Sequence, residues 1–332
     1  MYERGIDVSV VLLTKEASIY DRELMEKGVQ VIYLSDIWDI YSYKNIFRLI
    51  KVLKNFDVVH THTYSAQLWT AFASYFLPKK IKYVTTEHNT TNRRREKIWF
   101  KILDKWMYSR YDEIVSITKE VEENLFNWIK LKRTKKKVIK NGIVLIDFME
   151  AIATPRETLG LTSEDKVIIM VARFNEQKDQ QTLIEAMAYL NEKYKLLLVG
   201  EGDLLEKCRQ LSKKLKIENK IKFLGYRRDI PKLLKMSDVC VLSSHYEGLP
   251  ISVLEAMASG VPFIGSDVPG IRELIDGAGV LFKRGDSKNL SEEIKKICEN
   301  PKYSEEVSKR CLEKVKEYSI ETTLDGYMEV YG

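Results

Sequence analysis

The chain has 332 residues, of which 45% are hydrophobic and 31% are charged, and its formal net charge is +6. This length exceeds the usual ceiling for one hydrophobic core and predicts two domains, while the apolar runs are too short to span a bilayer. The 4 cysteines show no paired spacing and no secretory signal is visible. We therefore expect reduced thiols in the cytoplasm and not a disulfide framework.

The positive charge is concentrated in one stretch. Residues 93–140 contain 15 basic and 7 acidic side chains. Such a run is typical of a face that meets anionic lipid head groups or a diphosphate-bearing acceptor. Nucleic acid is a weaker alternative because no nucleic-acid motif accompanies the charge, and a solvated helix face explains the run almost as well.

The first half alternates between apolar, β-branched runs and amphipathic segments. The predicted strands are Val8–Leu13, Val29–Leu34, Asp57–His62, Lys82–Thr86, Glu113–Ile117 and Lys137–Ile139. The predicted helices are Asp21–Lys27, Ile46–Leu53, Tyr64–Phe76, Ile98–Tyr111 and Lys119–Asn127. This alternation predicts a Rossmann-like parallel sheet in residues 1–150.

The second half repeats the alternation after an aperiodic stretch, 145–165, that we interpret as a linker. The predicted strands are Val167–Val171, Lys195–Val199, Ile221–Leu224, Val239–Leu242 and Phe263–Gly265. The predicted helices are Gln180–Tyr189, Leu204–Leu215, Ile230–Lys235 and Ile251–Ser259. The fold class is therefore α/β, with two doubly wound parallel-sheet domains, 1–150 and 151–312. Ligands are expected at the carboxyl ends of the strands, in the cleft between the domains.

The stretch Glu247–Pro262, EGLPISVLEAMASGVP, has the pattern of a turn followed by a short helix. Free N–H groups at the start of such a helix form a site for an anion such as a diphosphate. Glu247 precedes the helix and Glu255 lies inside it, so one carboxylate can hold a sugar and the other a ribose diol. A capped surface helix with two solvated glutamates explains the spacing equally well.

Two cations follow the strand Val167–Val171. Arg173 offers a planar fork and Lys178 a point charge, which together suit a diphosphate. A basic loop with solvated tips is the alternative. The turn Gly200-Glu201-Gly202 follows the next strand, where a plain helix entry is the alternative to a binding loop.

These segments resemble the signatures of glycosyltransferase family 4, whose members are retaining enzymes with the GT-B fold of two facing Rossmann-like domains. Glu247–Pro262 resembles the E-x7-E motif, Val171–Lys178 the R-x4-K segment and Leu198–Asp203 the strand-to-glycine turn. Further matching segments follow in the family's order, namely Ile221–Gly225, Ser237–Ser243 and Asp267–Glu273. The likeness covers most of residues 55–331 and implies that residues 313–332, with a helix at Ile320–Tyr331, cross back to the first domain.

The resemblance implies a role for each matched residue. Arg173 and Lys178 would neutralise the leaving nucleoside diphosphate, Glu247 would touch the donor sugar and Glu255 the ribose. Residues near the diphosphate and the nucleotide would be Gly248, Leu249, Pro250, Ile251, Gly200 and Gly202.

Histidines end two strands of the first half. The resemblance places His88 on the donor sugar, with Glu87 and Asn89 as weaker candidates. His60 and His62 are two residues apart on one strand, but no third metal ligand is apparent, so we interpret them as residues lining the acceptor side. No D-x-D motif occurs, and neither a metal nor another cofactor is expected.

The implied reaction moves a sugar from a nucleotide sugar, a UDP-sugar by preference, to the hydroxyl of a lipid-linked or growing surface polysaccharide. The aromatic and lysine-bearing helix Ile98–Tyr111 suits a peripheral enzyme on the inner face of the plasma membrane, although an apolar stripe is more often core. The chain lacks the strand, glycine-rich turn and helix with which the family usually begins. We interpret this as a truncated start. The missing first strand is central in the usual strand order, so its loss would leave a break in the first sheet. The alternatives are a non-catalytic sugar-nucleotide-binding subunit and, less well supported, an epimerase of the same fold.

Overall fold

A computed structural model describes residues 1–15, 19–36, 38–88, 97–131 and 134–332 of the chain. The chain divides into two compact units, Met1–Lys140 with Leu324–Gly332 (unit 1) and Asn141–Thr323 (unit 2). The division thus falls after residue 140 rather than 150, and the return to unit 1 begins at residue 324 rather than 313.

Unit 1 is built from short parallel strands and the helices between them. Its strands are β1 (Ser9–Leu12), β2 (Gln30–Tyr33), β3 (Val58–Thr61), β4 (Lys82–Glu87), β5 (Glu113–Ser116) and β6 (Lys135–Val138). Its helices are α1 (Ile19–Glu26), α2 (Lys44–Leu53), α3 (Tyr64–Ala73), α4 (Ile98–Tyr108) and α5 (Lys119–Ile129). The predicted helix at 98–111 therefore ends three residues early, at Tyr108.

The sheet of unit 1 is divided, as the sequence predicted. Strands β1 and β2 form a separate parallel pair, and the second sheet has the order β3-β4-β5-β6. In the described part of the chain β1 pairs only with β2, and β3 only with β4. Apolar residues of α3, α4 and α5 cover one side of the larger sheet, while Tyr327 and Val330 pack with Val84, Val115 and Ile139 in a second cluster.

Unit 2 contains one continuous parallel sheet. Its strands are β7 (Lys166–Val171), β8 (Tyr194–Val199), β9 (Ile221–Gly225), β10 (Val239–Leu242), β11 (Phe263–Ser266) and β12 (Val280–Phe282). Its helices are α6 (Leu145–Met149), α7 (Gln180–Ala188), α8 (Leu205–Lys214), α9 (Ile230–Lys235), α10 (Ile251–Ala258), α11 (Pro269–Ile275), α12 (Ser287–Glu299) and α13 (Pro301–Val315). The last helix, α14 (Ile320–Tyr331), begins here and ends in unit 1.

The strand order of unit 2, β12-β11-β10-β7-β8-β9, places the reversal of winding between β7 and β10. Both strands are apolar and almost wholly buried, as expected where helices cover both faces of a parallel sheet. Open α/β sheets bind ligands outside the carboxyl ends of the strands at such a reversal. The segments after β7 and β10 are therefore the place to look for a site.

Two expectations about local structure were wrong. Residues 145–165 are not an irregular linker, because they contain α6 and a short 3-10 helix, and Leu145, Phe148 and Leu159 pack on the core of unit 2. Strand β12 and helices α11, α12 and α13 were missed. Among the described residues no helix is both long enough and apolar enough to cross a membrane.

Candidate functional site

The two charged motifs of unit 2 meet at the reversal of strand order. The segment with Arg173 and Lys178 follows β7, and the turn with Glu247 follows β10. A short antiparallel pairing joins them, since Asp179 N–H donates to Ser243 O at 2.9 Å and His245 N–H to Gln177 O at 2.9 Å. Motifs that are about 70 residues apart in sequence thus form one local structure.

The Glu247 carboxylate is held by three side chains. Its Oε1 forms an ion pair with Lys178 Nζ and accepts a hydrogen bond from Ser244 Oγ at 2.7 Å. Gln177 Nε2 donates to the other oxygen, Oε2, at 3.0 Å. The side chain of Glu247 is only 5% exposed and that of Lys178 only 14%. The residue expected on the sugar and the residue expected on the diphosphate therefore contact each other.

Arg173 is the cation of this segment that remains open to solvent. Arg173 is exposed, and its guanidinium forms no ion pair or hydrogen bond with the described residues. Its backbone is fixed, because Gln180 Nε2 donates to Arg173 O at 2.8 Å. The segment that supplies Lys178 therefore also carries a solvent-exposed positive charge, which suits an anionic ligand.

The glycines of the turn after β8 allow the chain to press against this segment. A Cβ on Gly200 would lie 2.1 Å from Ala172 O, and one on Gly202 would lie 2.3 Å from Phe174 O. Their φ angles, +133° and +149°, are ones that other residues rarely adopt. Both glycines therefore support the backbone on either side of Arg173, and their place near a nucleotide stays a prediction.

Helix α10 presents an uncapped N-terminus after the turn Gly248-Leu249-Pro250. Pro250 is the N-cap residue, Ile251 is the first helical residue, and no side chain of the described chain caps the free N–H groups. The sequence analysis missed Gly270 in α11, where a Cβ would lie 2.1 Å from Gly248 O and 2.5 Å from Glu247 O. Gly270 thus lets α11 pack directly against the turn that carries Glu247.

Glu255 lies one turn into α10 and differs from Glu247 in having no partner. Among the described residues its carboxylate makes neither a hydrogen bond nor an ion pair, although the residue is half-buried. Burial raises the pKa of Glu255 above its usual range. A partly desolvated carboxylate with open acceptor positions suits a ligand that supplies hydroxyl groups.

A cavity of about 400 Å³ borders the Lys178 segment. Neither Glu247 nor Glu255 lines it, and its walls come from the Lys178 segment, α7, α8 and His245. Lys178, Asp179, Cys208 and His245 are among its lining residues. It therefore adjoins the backbone of the candidate site and does not contain the two glutamates.

In unit 1 the structure brings the three strand-end histidines together. His62 Nδ1 and His88 Nε2 share a hydrogen bond of 3.2 Å, and the rings of His60 and His62 lie 4.2 Å apart. Burial away from water is the largest cause that lowers the pKa of each of the three rings. The pKa falls to about 2 for His60 and to about 4 for His62. All three rings are therefore neutral at neutral pH, and within the described chain no metal-binding cluster is found.

Partners of His60 come from residues that the sequence analysis did not single out. Tyr331 OH lies 2.6 Å from Nδ1 and Thr86 Oγ1 lies 2.7 Å from Nε2. Tyr327 OH also bonds to Thr86 Oγ1, at 3.0 Å. Glu87 accepts a hydrogen bond from the buried Tyr108 OH, which gives it a structural contact. The weaker candidate Asn89 lies outside the described residues.

The aromatic helix α4 has both a packed and an exposed face. Met107 and Tyr108 are buried, whereas Ile98, Trp99 and Ile102 are 67%, 77% and 76% exposed. Lys101 lies over the Trp128 ring at 5.4 Å. The basic run 93–140 is described except for residues 93–96 and 132–133. Helix α4 therefore leaves three large apolar side chains exposed to solvent.

Two family models match the chain. The model described as Glycosyltransferase Family 4 matches residues 1–145, and that described as Glycosyl transferases group 1 matches residues 152–314. The UDP-Gal:alpha-D-GlcNAc-diphosphoundecaprenol alpha-1,3-galactosyltransferase of Escherichia coli is 28% identical over 90% of this chain and 80% of its own length. The N,N'-diacetylbacillosaminyl-diphospho-undecaprenol alpha-1,3-N-acetylgalactosaminyltransferase of Campylobacter jejuni is 27% identical over 99% and 92%.

Solved structures share the fold at lower identity. Anabaena Alr3699/HepE in complex with UDP and glucose superposes with a TM-score of 0.83 at 19% identity, covering 96% of this chain and 90% of that one. A glycosyltransferase from Rickettsia africae has a TM-score of 0.83 at 20% identity, covering 99% and 91%. The predicted two-domain α/β fold of the GT-B class is confirmed.

Proposed function

Because the chain belongs to glycosyltransferase family 4 and is a glycosyltransferase, we propose that it transfers a sugar with retention from a UDP-sugar to a lipid-linked glycan. One observation carries this proposal. At the strand reversal of unit 2, the Lys178–Glu247 pair joins the segment that carries the open Arg173 to the turn that leads into α10, the helix that carries Glu255. This set offers cations and N–H groups to a diphosphate and a carboxylate to a ribose.

Each group has a place in the proposed reaction. Arg173 and Lys178 stabilise the charge that builds on the departing diphosphate, together with the N–H groups that begin α10. Glu255 accepts hydrogen bonds from the ribose hydroxyls. Glu247 contacts the donor sugar, and the neutral ring of His88 is suited to hydrogen bonds with sugar hydroxyls. The cations of the chain supply the neutralising charge, and we propose no metal or other cofactor.

The proposed reaction breaks one bond to the anomeric carbon of the donor sugar and forms another. The bond from the anomeric carbon to the β-phosphate oxygen breaks, and the acceptor oxygen bonds to that carbon on the same face. The acceptor's proton passes to the departing phosphate oxygen, and the transition state resembles an oxocarbenium ion. The engagement of Glu247 by Lys178, Ser244 and Gln177 argues against its acting as a covalent nucleophile. We therefore favour front-face transfer.

For the acceptor, we propose a sugar on a diphosphate-linked polyprenol at the inner face of the plasma membrane. The names of the Escherichia coli and Campylobacter jejuni relatives contain such acceptors. The exposed Ile98, Trp99 and Ile102 beside Lys97 and the basic run support attachment to an anionic surface. The chain would be a peripheral protein on the cytoplasmic side.

A second candidate function is a sugar-nucleotide-binding subunit without catalysis. The divided sheet of unit 1 favours it, because catalytic residues are held best on continuous, rigid elements. One assay of donor hydrolysis and sugar transfer distinguishes the two functions, because a binding subunit would catalyse neither.

The test begins with a thermal-shift panel of UDP, GDP, ADP and their common sugar conjugates, since ligands of the folded state raise its stability. The UDP-sugar with the largest shift is then incubated with the chain and synthetic N-acetylhexosaminyl-diphospho-undecaprenol. We expect a glycosylated lipid with the donor's anomeric configuration. Arg173→Ala and Glu255→Gln should each weaken UDP binding about tenfold or more. UDP binding that is equal in wild type and both variants would overturn the site.

A further inference from the structure

The side chain of Gln177 uses both N–H groups of its amide on the turn that carries Glu247. Its Nε2 donates to Tyr246 O at 3.0 Å and to Glu247 Oε2 at 3.0 Å. Its backbone is fixed as well, because Gln177 O accepts from His245 N–H at 2.9 Å. The amide therefore has no freedom to turn without losing a bond to the turn.

The bonds around Glu247 leave a definite part of the carboxylate open. A carboxylate has about four acceptor positions, two on each oxygen. Lys178 Nζ and Ser244 Oγ occupy those of Oε1, while Gln177 Nε2 occupies one on Oε2. Among the residues that the structure describes, none occupies the second acceptor position of Oε2. Lys178 and Ser244 hold one oxygen of the carboxylate, and Gln177 holds the other. The bond from Gln177 therefore completes the set that fixes the direction of this open position.

We propose that Gln177 is a positioning residue that aims the open acceptor position of Glu247 Oε2 at a hydroxyl of the donor sugar. This inference rests on the proposed function, in which Glu247 contacts that sugar. Tyr246 O anchors the amide, so that the second N–H stays on Oε2 while the donor enters. Glutamine fits this task because it carries two donors on one atom, whereas glutamate would present acceptors to both partners.

The test compares Gln177→Leu and Gln177→Glu with a control at Gln181. Gln181 is an exposed glutamine on the first turn of α7, and its amide donates to Glu185 Oε1 at 2.9 Å. For Gln177→Leu we expect kcat/KM for the UDP-sugar to fall about tenfold, because one hydrogen bond to a charged group is lost. Gln177→Glu should lose more, through repulsion from Glu247. Affinity for UDP alone should stay within about twofold in Gln177→Leu, since the sugar contact is absent there.

A double-mutant cycle separates positioning from a general structural effect. Once Glu247→Gln has removed the carboxylate, adding Gln177→Leu should cost less than about twofold, whereas Gln181→Leu should have no effect in either background. Full activity of Gln177→Leu, or a loss that adds in full to that of Glu247→Gln, would overturn the inference. An unimpaired Glu247→Gln single variant would instead overturn the role of Glu247 in the proposed function. Thermal unfolding and UDP binding confirm that each variant is folded.

Discussion

Units 1 and 2 share an architecture but prepare different polar environments at their strand ends. Unit 2 has a continuous six-stranded sheet, and at its reversal point it gathers charged residues: Arg173, Lys178, Glu247 and Glu255. Unit 1 has a divided sheet, and its strand ends carry three histidines whose pKa values are all lowered. One unit offers fixed charge and the other neutral hydrogen-bonding groups.

This difference matches the two halves of a glycosyl transfer. A departing diphosphate needs positive charge, and a buried cation costs desolvation unless it is paired. Lys178, which we propose to contact the diphosphate, is paired with Glu247. A sugar or an acceptor hydroxyl needs hydrogen bonds that do not add charge. Neutral imidazoles such as that of His88 can both donate and accept them. Substitutions that remove the charged groups at the strand ends of unit 2, or the neutral histidines at those of unit 1, test this comparison.

The largest effect is expected from Lys178→Met. The substitution leaves the Glu247 carboxylate buried without its cation, and breaking such a pair costs about 3 kcal/mol or more of unfolding free energy. Transfer activity should also be lost. Urea unfolding and a transfer assay measure the two effects. In Lys178→Met/Glu247→Gln the loss of stability should be much smaller, while Lys214→Met, an exposed lysine, should change neither. A fully stable Lys178→Met would show that the pair is not energetically coupled.

Gly202→Ala should be the next most damaging change. The added Cβ meets Phe174 O at 2.3 Å, at a φ of +149°, so we expect a loss of about 2 kcal/mol or more. The matched control is Gly285→Ala, which has a φ of +76° but nothing within 4 Å of the new Cβ. The control should lose only about 1 kcal/mol, from backbone strain alone. Equal losses in urea unfolding would contradict the close approach of the two loops.

The third prediction concerns the neutral histidines. The pKa of His60 is about 2 in the folded chain and about 6.5 when unfolded, so below pH 6.5 only the unfolded state gains the proton. Stability that is present above that pH is lost as the pH falls, by about 2 kcal/mol at pH 5 for this group. His60→Gln should remove this part of the decline, measured as unfolding free energy at pH 7 and pH 5. His245→Gln, an exposed histidine of unit 2, is the control. Parallel pH profiles of wild type and His60→Gln would contradict the prediction.

Much of the fold could be predicted from the sequence, because buried parallel strands appear as continuous apolar runs. Runs such as Val167–Val171 and Val239–Leu242 are apolar throughout, and the strands formed there within one residue of their predicted ends. The irregular-looking stretch 145–165 was misread, because the packing of Leu145 and Phe148 on unit 2 overrides a weak local pattern. Strand β12 has only three residues, too few for a periodicity to be recognised.

The candidate site could be predicted only in part, for a different reason. Motif spacing pointed to Glu247 and Lys178 separately, but their mutual contact depends on the antiparallel pairing of 177–179 with 243–245, which no local pattern encodes. Gln177, Ser244 and Gly270 were missed because each acts through the Glu247 turn. One partner of His60, Tyr331, lies 271 residues away in α14, beyond the reach of any sequence window.

The smallest effect on stability should come from the exposed face of α4. Trp99 is 77% exposed, so Trp99→Ala should change the unfolding free energy by less than about 0.5 kcal/mol. Its effect on membranes should be larger, because partial burial of an indole in the lipid interface contributes about tenfold in affinity. Co-sedimentation with anionic phosphatidylglycerol vesicles measures this, with Tyr189→Ala, 54% exposed on unit 2, as the control. If Trp99→Ala binds the vesicles as wild type does, this face is not the membrane contact, and the difference between the two units rests on the polar groups at their strand ends alone.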